Sequence, residues 1–162
     1  MSNIRLAQNE DKASILDLYQ SLIGTPGCTW SVEYPTISEI QHDIDRSSLY
    51  CICNDNGIII AVASAGNDDE LDHLSWDKRI KNPCELARVG VKRSMQNHGL
   101  GYTIVEYVIN DVKKRGFDGI RMLVSKTNPS ALALYEKLNF HRCSETILYD
   151  RDWYCYEMVL GE

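Results

Sequence analysis

The segment "ELARVGVKRSMQNHGLG", residues 85–101, constrains the fold of this chain more than any other stretch. "ELARVGV", 85–91, reads as a central strand. The loop after it contains Gly99 and Gly101 and no proline, so every backbone N–H from Gln96 to Gly101 is free to face a ligand. From about Gly99 to Arg115 the pattern is helical, with Ile104, Val105, Val108 and Val112 on one face and Gly116 as the stop. A strand that runs through a glycine loop into a helix gathers unpaired N–H groups and a helix dipole at one point, which suits an anion. The glycines fit neither G-x-G-x-x-G nor G-x-x-x-x-G-K-[ST], which excludes the dinucleotide and Walker patterns. On spacing alone, a plain structural turn explains this loop about as well as an anion site does.

The remaining elements surround this unit in a definite order. "NIRLA" reads as a first strand. Asn9 is a candidate cap for a helix carrying Ile15, Leu18, Tyr19 and Leu22 on one face and ending at Gly24. Thr36 and Glu39 form a capping box for a short second helix. "LYCIC", "NDNG" and "IIIAVASA" read as a hairpin. After the long helix come a buried strand "IRMLV", a helix "NPSALALYEKL" with Pro129 in its first turn, and a closing pair "HRCSETILY" and "WYCYEMVL" joined at "DRD". This order predicts a single α/β domain over residues 1–162, a mixed sheet flanked by helices. The 162 residues, 44% of them hydrophobic, suffice for a core. A net charge of −6 argues against non-specific nucleic-acid binding. No apolar run has the length of a membrane span and no secretory signal is visible, so a cytoplasmic location is expected. The six cysteines include no C-x-x-C pair, and no histidine pair has zinc spacing. Reduced thiols and no metal are therefore expected, with Cys51 and Cys53 on one face of their strand.

"VKRSMQNHGLG" fits V-x-x-x-x-Q-x-x-G-x-G, and "NPSALALYEKLNF" follows it by some 30 residues. Together, in this order and on these elements, the two motifs resemble the GNAT N-acetyltransferase superfamily. The close match spans about 85–140, and the order of elements agrees along the whole chain. The resemblance implies a mostly antiparallel central sheet and acetyl-CoA as co-substrate. Pantetheine would run along Val89, Gly90 and Val91, with the pyrophosphate on Gln96, Asn97, His98, Gly99, Leu100 and Gly101. Asn128 and Ala131 match the family's cofactor contacts. Three positions depart from the usual pattern: Arg93 where proline is common, Asn97 where arginine or glycine is common, and His98 where a basic residue is common. Lys92 and Arg93 can restore local positive charge.

The chemistry implied is transfer of acetyl to a primary amine. An amine with a pKa near ~10 is about one-thousandth neutral at pH 7, so a base is useful. Glu85 matches the family's strand glutamate; the alternative is a solvent-facing strand residue. Tyr135, seven residues after Asn128, matches the family's acid; the alternative is a core tyrosine beside Leu132 and Leu138. Asn128 reads equally as a helix cap. Trp30, Tyr34 and Trp76 fall where the family builds its acceptor pocket, or they are loop packing. The acidic run "NDDELD", 67–72, either attracts a cationic amine or is a solvated loop. The expected partner is a small-molecule amine, with a protein or peptide amine as the rival acceptor. A silent acyl-CoA-binding module is the non-enzymatic alternative, and a homodimer is one option for assembly.

Overall fold

The structure is a computed structural model that describes residues 3–161. Its strands are β1 (Asn3–Leu6), β2 (Leu49–Cys53), β3 (Ile59–Gly66), β4 (Pro83–Val91), β5 (Gly119–Ser125), β6 (His141–Leu148) and β7 (Arg151–Val159). Its helices are α1 (Lys12–Ser21), α2 (Ile37–Asp45), α3 (Leu100–Lys114) and α4 (Pro129–Lys137), with short 3-10 turns at Asn9–Asp11 and Arg93–Met95. The seven strands form one sheet in the order β1-β2-β3-β4-β5-β7-β6. Every neighbouring pair is antiparallel except β4–β5. The fold is thus the expected α/β arrangement around a mostly antiparallel sheet. Among the described residues no helix is long and apolar enough to cross a membrane.

Strand alternation divides the core into two layers. On β2, Tyr50 and Ile52 join the cluster built around Ile104, Val105, Val108 and Val112 of α3. Leu49, Cys51 and Cys53 face the other way and pack with Ile15, Leu18 and Tyr19 of α1 and Ile40 of α2. The two strand cysteines do share a face, and all six cysteines are unpaired.

Local signals account for most element ends. Thr36 and Glu39 form their capping box at α2. Asn128 caps α4 by accepting from the Ala131 N–H at 3.2 Å, and Pro129 opens the helix. Two boundaries differ from the sequence reading. Asn9 is not the cap of the first helix. Gln8 precedes the opening turn, the Asp11 carboxylate accepts from its N–H at 2.7 Å, and the Asn9 side chain instead accepts from Gln41. The β6–β7 turn is also tighter than "DRD" implies. Tyr149 and Asp150 both have positive φ, 55° and 59°, and β7 resumes at Arg151. Two left-handed residues in a two-residue connection match the twist of an antiparallel hairpin.

Candidate active site

β4 and β5 begin side by side and then separate. Their parallel pairing covers only Pro83–Glu85 against Gly119–Arg121. On its other edge β4 carries a bulge: Val62 of β3 faces Gly90, whereas Ser64 faces Ala87, leaving one extra residue on β4. Arg88 takes up that residue with φ 51°, a left-handed conformation unusual for a side-chain-bearing residue in a strand. The parted strands open a cleft of about 950 Å³. It is lined by β4 from Glu85 to Val91, by Met122–Ser125 of β5, by the loop after α1, by the start of α3 and by α4.

At one end of the cleft lies the glycine loop. Asn97 and Gly99 have φ of 65° and 78°, and Gly99 is the N-cap of α3 with no side chain over the helix end. The Gln96 amide donates to the Val91 carbonyl at 3.2 Å and so closes the loop against the strand it leaves. Gln96, Asn97, Gly99, Leu100 and Gly101 line the cleft, as do Val89, Gly90, Val91, Asn128 and Ala131. His98 does not. It is exposed, and its Nδ1 sits 2.9 Å from the Gln96 carbonyl, folded onto its own turn. Gly90 has a structural reason for lacking a side chain: a Cβ there would lie 3.1 Å from Leu22 and 3.3 Å from Leu18. Lys92 and Arg93 are exposed beside the loop, with no ion pair among the described residues.

Glu85 and Tyr135 reach this cleft from β4 and α4 respectively. Glu85 is half-buried. Its Oε2 is buried with no hydrogen-bond partner among the described residues. Burial, followed by the nearby carboxylates of Asp68 and Glu70, pushes its pKa from 4.5 up to about 7. Carboxylate oxygens of all three residues lie within 4.8 Å of one another. Tyr135 is 6% exposed, edge-on to Phe140 at 5.6 Å between ring centres, and burial raises its pKa. Tyr135 thus packs in the core and also borders the cleft.

The far end contains residues that the sequence did not single out. Glu70 and Tyr149 line it, and the Tyr149 hydroxyl donates to the Glu70 carboxylate, tying the β6–β7 turn to the loop after β3. Trp153 and Arg151 line the same wall from β7. Of the three expected pocket aromatics, Trp30 and Tyr34 border the cleft, whereas Trp76 does not. The Trp76 indole N–H donates to the Leu71 carbonyl at 2.8 Å, and its ring stacks under the Arg121 guanidinium. Trp76 anchors the acidic loop instead.

A sequence model of the acetyltransferase (GNAT) family matches residues 15–140. The chain belongs to that family. A mycothiol acetyltransferase from Thermomonospora curvata is 33% identical over 86 residues, which covers 52% of this chain and 29% of the relative. The ribosomal protein bS18-alanine N-acetyltransferase of Escherichia coli K12 is 34% identical over 65 residues, 40% of this chain and 44% of the relative. The aligned stretches thus span less than half of either relative's length. Among solved structures, a GNAT phosphinothricin acetyltransferase from Sinorhizobium meliloti in complex with AcCoA superposes with a TM-score of 0.78. It is 17% identical, and the match covers 99% of this chain and 89% of that one. At that identity the likeness concerns the fold alone.

Proposed function

We propose that this GNAT protein transfers the acetyl group of acetyl-CoA to a primary amine of a small molecule, directly and in a ternary complex. The observation that carries the reading is that one cleft, opened by the separation of β4 and β5, holds an anion-receptive loop at one end and brings Glu85 and Tyr135 to its walls. The loop amides and the exposed Lys92 and Arg93 suit a pyrophosphate. The edge of β4 beyond Glu85 is unpaired by β5 and suits the amides of pantetheine. The AcCoA complex of the S. meliloti acetyltransferase supports this choice of donor.

In this reading the amine nitrogen attacks the thioester carbonyl, the C–N bond forms and the C–S bond breaks. Glu85, poised near neutral pH, takes the proton from the amine directly or through a water. Tyr135, kept protonated by burial, donates its proton to the departing thiolate. Asp68 and Glu70 favour a cationic acceptor on approach. A small acceptor is supported by the Glu70–Tyr149 contact at the cleft rim. A protein α-amine, the acceptor named for the E. coli relative, is the competing reading. The cytoplasm is the compartment this reading assigns, where six unpaired cysteines persist as thiols.

The test is release of free thiol from acetyl-CoA, screened with amino acids, polyamines, aminoglycosides and peptides, alongside acetyl-CoA binding by calorimetry. Turnover with small amines is expected. Turnover with peptides alone moves the acceptor to the protein class. Tight binding without turnover for any amine leaves an acyl-CoA-binding module, and no binding sinks the reading altogether.

A further inference from the structure

The Arg88 side chain is held more completely than the backbone at this point would suggest. Its guanidinium donates to both carboxylate oxygens of Asp43, with Nη2 at 2.9 and 2.8 Å and Nε at 3.2 Å. Asp43 lies on α2 and is 3% exposed. Nη2 also reaches the Ser64 hydroxyl on β3 at 3.3 Å. The remaining arm, Nη1, donates to the Tyr34 hydroxyl oxygen at 2.8 Å. Arginine is suited to this because its donors form a rigid fork, two of them fixed by one carboxylate while another points elsewhere. A left-handed residue inside a strand is strained and persists where the surroundings fix it. Here the surroundings are α2, β3 and the loop after α1, all joined through one side chain.

The consequence falls on Tyr34. Tyr34 lines the cleft, on the loop after α1 that also carries Trp30. A phenol oxygen that already accepts from a guanidinium retains its own O–H as a donor. Tyr34 has no acceptor for that proton among the described residues. The strong donor on its oxygen also polarises the O–H, so the bond it offers is strengthened. Glu70 and Glu85 line the same cleft and attract the amine. An O–H donor near them suits an oxygen borne close to that amine.

We infer that Tyr34 is a specificity-determining residue for acceptors that carry a carbonyl group on the carbon next to the reacting amine, its oxygen three bonds from the nitrogen. Arg88, locked by Asp43, is the positioning residue that aims its hydroxyl. This rests on the transferase reading above and narrows its acceptor to amino-carbonyl compounds.

The test compares glycinamide with n-propylamine, the second lacking the oxygen, as acceptors for wild type, Tyr34→Phe, Arg88→Lys and the double variant. Arg88→Lys leaves Asp43 a cation but removes the fork that reaches Tyr34. Fold integrity is checked in each by acetyl-CoA affinity. Tyr34→Phe is expected to raise KM for glycinamide about five- to tenfold more than for n-propylamine, the loss of one hydrogen bond. Arg88→Lys is expected to show the same selective loss, and the double variant to be no worse than either single one, because both remove the same contact. Equal losses for the two acceptors overturn the inference, since they place Tyr34 in the chemistry or in general packing. Additive losses in the double variant overturn the role of Arg88. Turnover of n-propylamine but not glycinamide by wild type overturns the inference while sparing the transferase reading. Turnover of no amine at all sinks both.

Discussion

Replacing Glu85 with glutamine keeps the shape of the carboxyl group and removes its charge, and the structure gives the size of the effect. The group titrates near 7 in the folded chain rather than at 4.5, because burial and the carboxylates of Asp68 and Glu70 disfavour the anion. The folded protein therefore binds this proton more tightly than the unfolded chain does. Below about pH 4.5 both states are protonated and Glu85 costs the fold nothing. Between 4.5 and 7 the unfolded chain ionises first, and stability falls as pH rises. Above 7 the fold carries a confined charge. At ~1.4 kcal/mol per pKa unit the full cost is about 3 kcal/mol, and solvent at the open side of the cleft trims this to about 2 kcal/mol. Glu85→Gln should then be more stable than wild type by about 2 kcal/mol at pH 8 and by less than roughly 1 kcal/mol at pH 5. For a chain of this size that is a rise in Tm of about 4–8 °C at pH 8. Thermal melts of both proteins without ligand, at the two pH values, measure it. The same variant should lose rate most near pH 7 and recover partly at higher pH, where solution supplies neutral amine. A Tm difference that does not change with pH would refute the reasoning, for it would mean that the carboxyl group is solvated and that its buried oxygen finds a partner in solution.

Tyr135→Phe should lower kcat with nearly unchanged acetyl-CoA binding, and the loss should shrink for an acyl donor with a more acidic thiol; steady-state rates with two thioesters decide it. Gly101→Val should weaken acetyl-CoA binding at least tenfold in a folded protein. Its Cβ would sit 3.4 Å from Leu134 on α4, which leaves the added methyl groups little room except toward the ligand side of the loop; calorimetry reads this directly. Acetyl-CoA at about 100 times its Kd should stabilise wild type by about 2.7 kcal/mol and raise Tm by roughly 5–10 °C, with at most about half of that, about 1.4 kcal/mol, in the Gly101→Val variant at the same concentration.

The order of elements and the two motif segments were legible in the sequence because each carries a local signal: helical period, a capping box, glycines before a helix. The direction in which Glu85 points was not, and the reason is specific. In "ELARVGV" strict alternation puts Glu85 on the same face as Val89 and Val91. In the structure Cys84 and Leu86 pack with the α3 layer, and so do Val89 and Val91, although the first two residues are even and the last two odd. The extra residue at the bulge reverses the parity between them. Glu85 is thereby separated from the valines and reaches the acidic end of the cleft, while Arg88 turns toward Asp43 on α2. No local pattern in β4 encodes the bulge. It appears only when β4 is paired with β3, where Val62 and Ser64 face Gly90 and Ala87. The same cause hid the role of Tyr34, which depends on a guanidinium 54 residues away in sequence. It also hid Tyr149, whose partner Glu70 is 79 residues away. His98 is the converse case: it lies within a motif, and motif spacing fixes where the backbone goes but not which way an exposed ring turns. The placement of Glu85 and Arg88 around this cleft is therefore set by one inserted residue in one strand. Deleting Arg88 to restore regular pairing should return Glu85 to the face of Val89 and Val91 or shift those valines out of the α3 layer. Either outcome costs core packing or the proposed base, so the bulge and the activity are expected to be lost together.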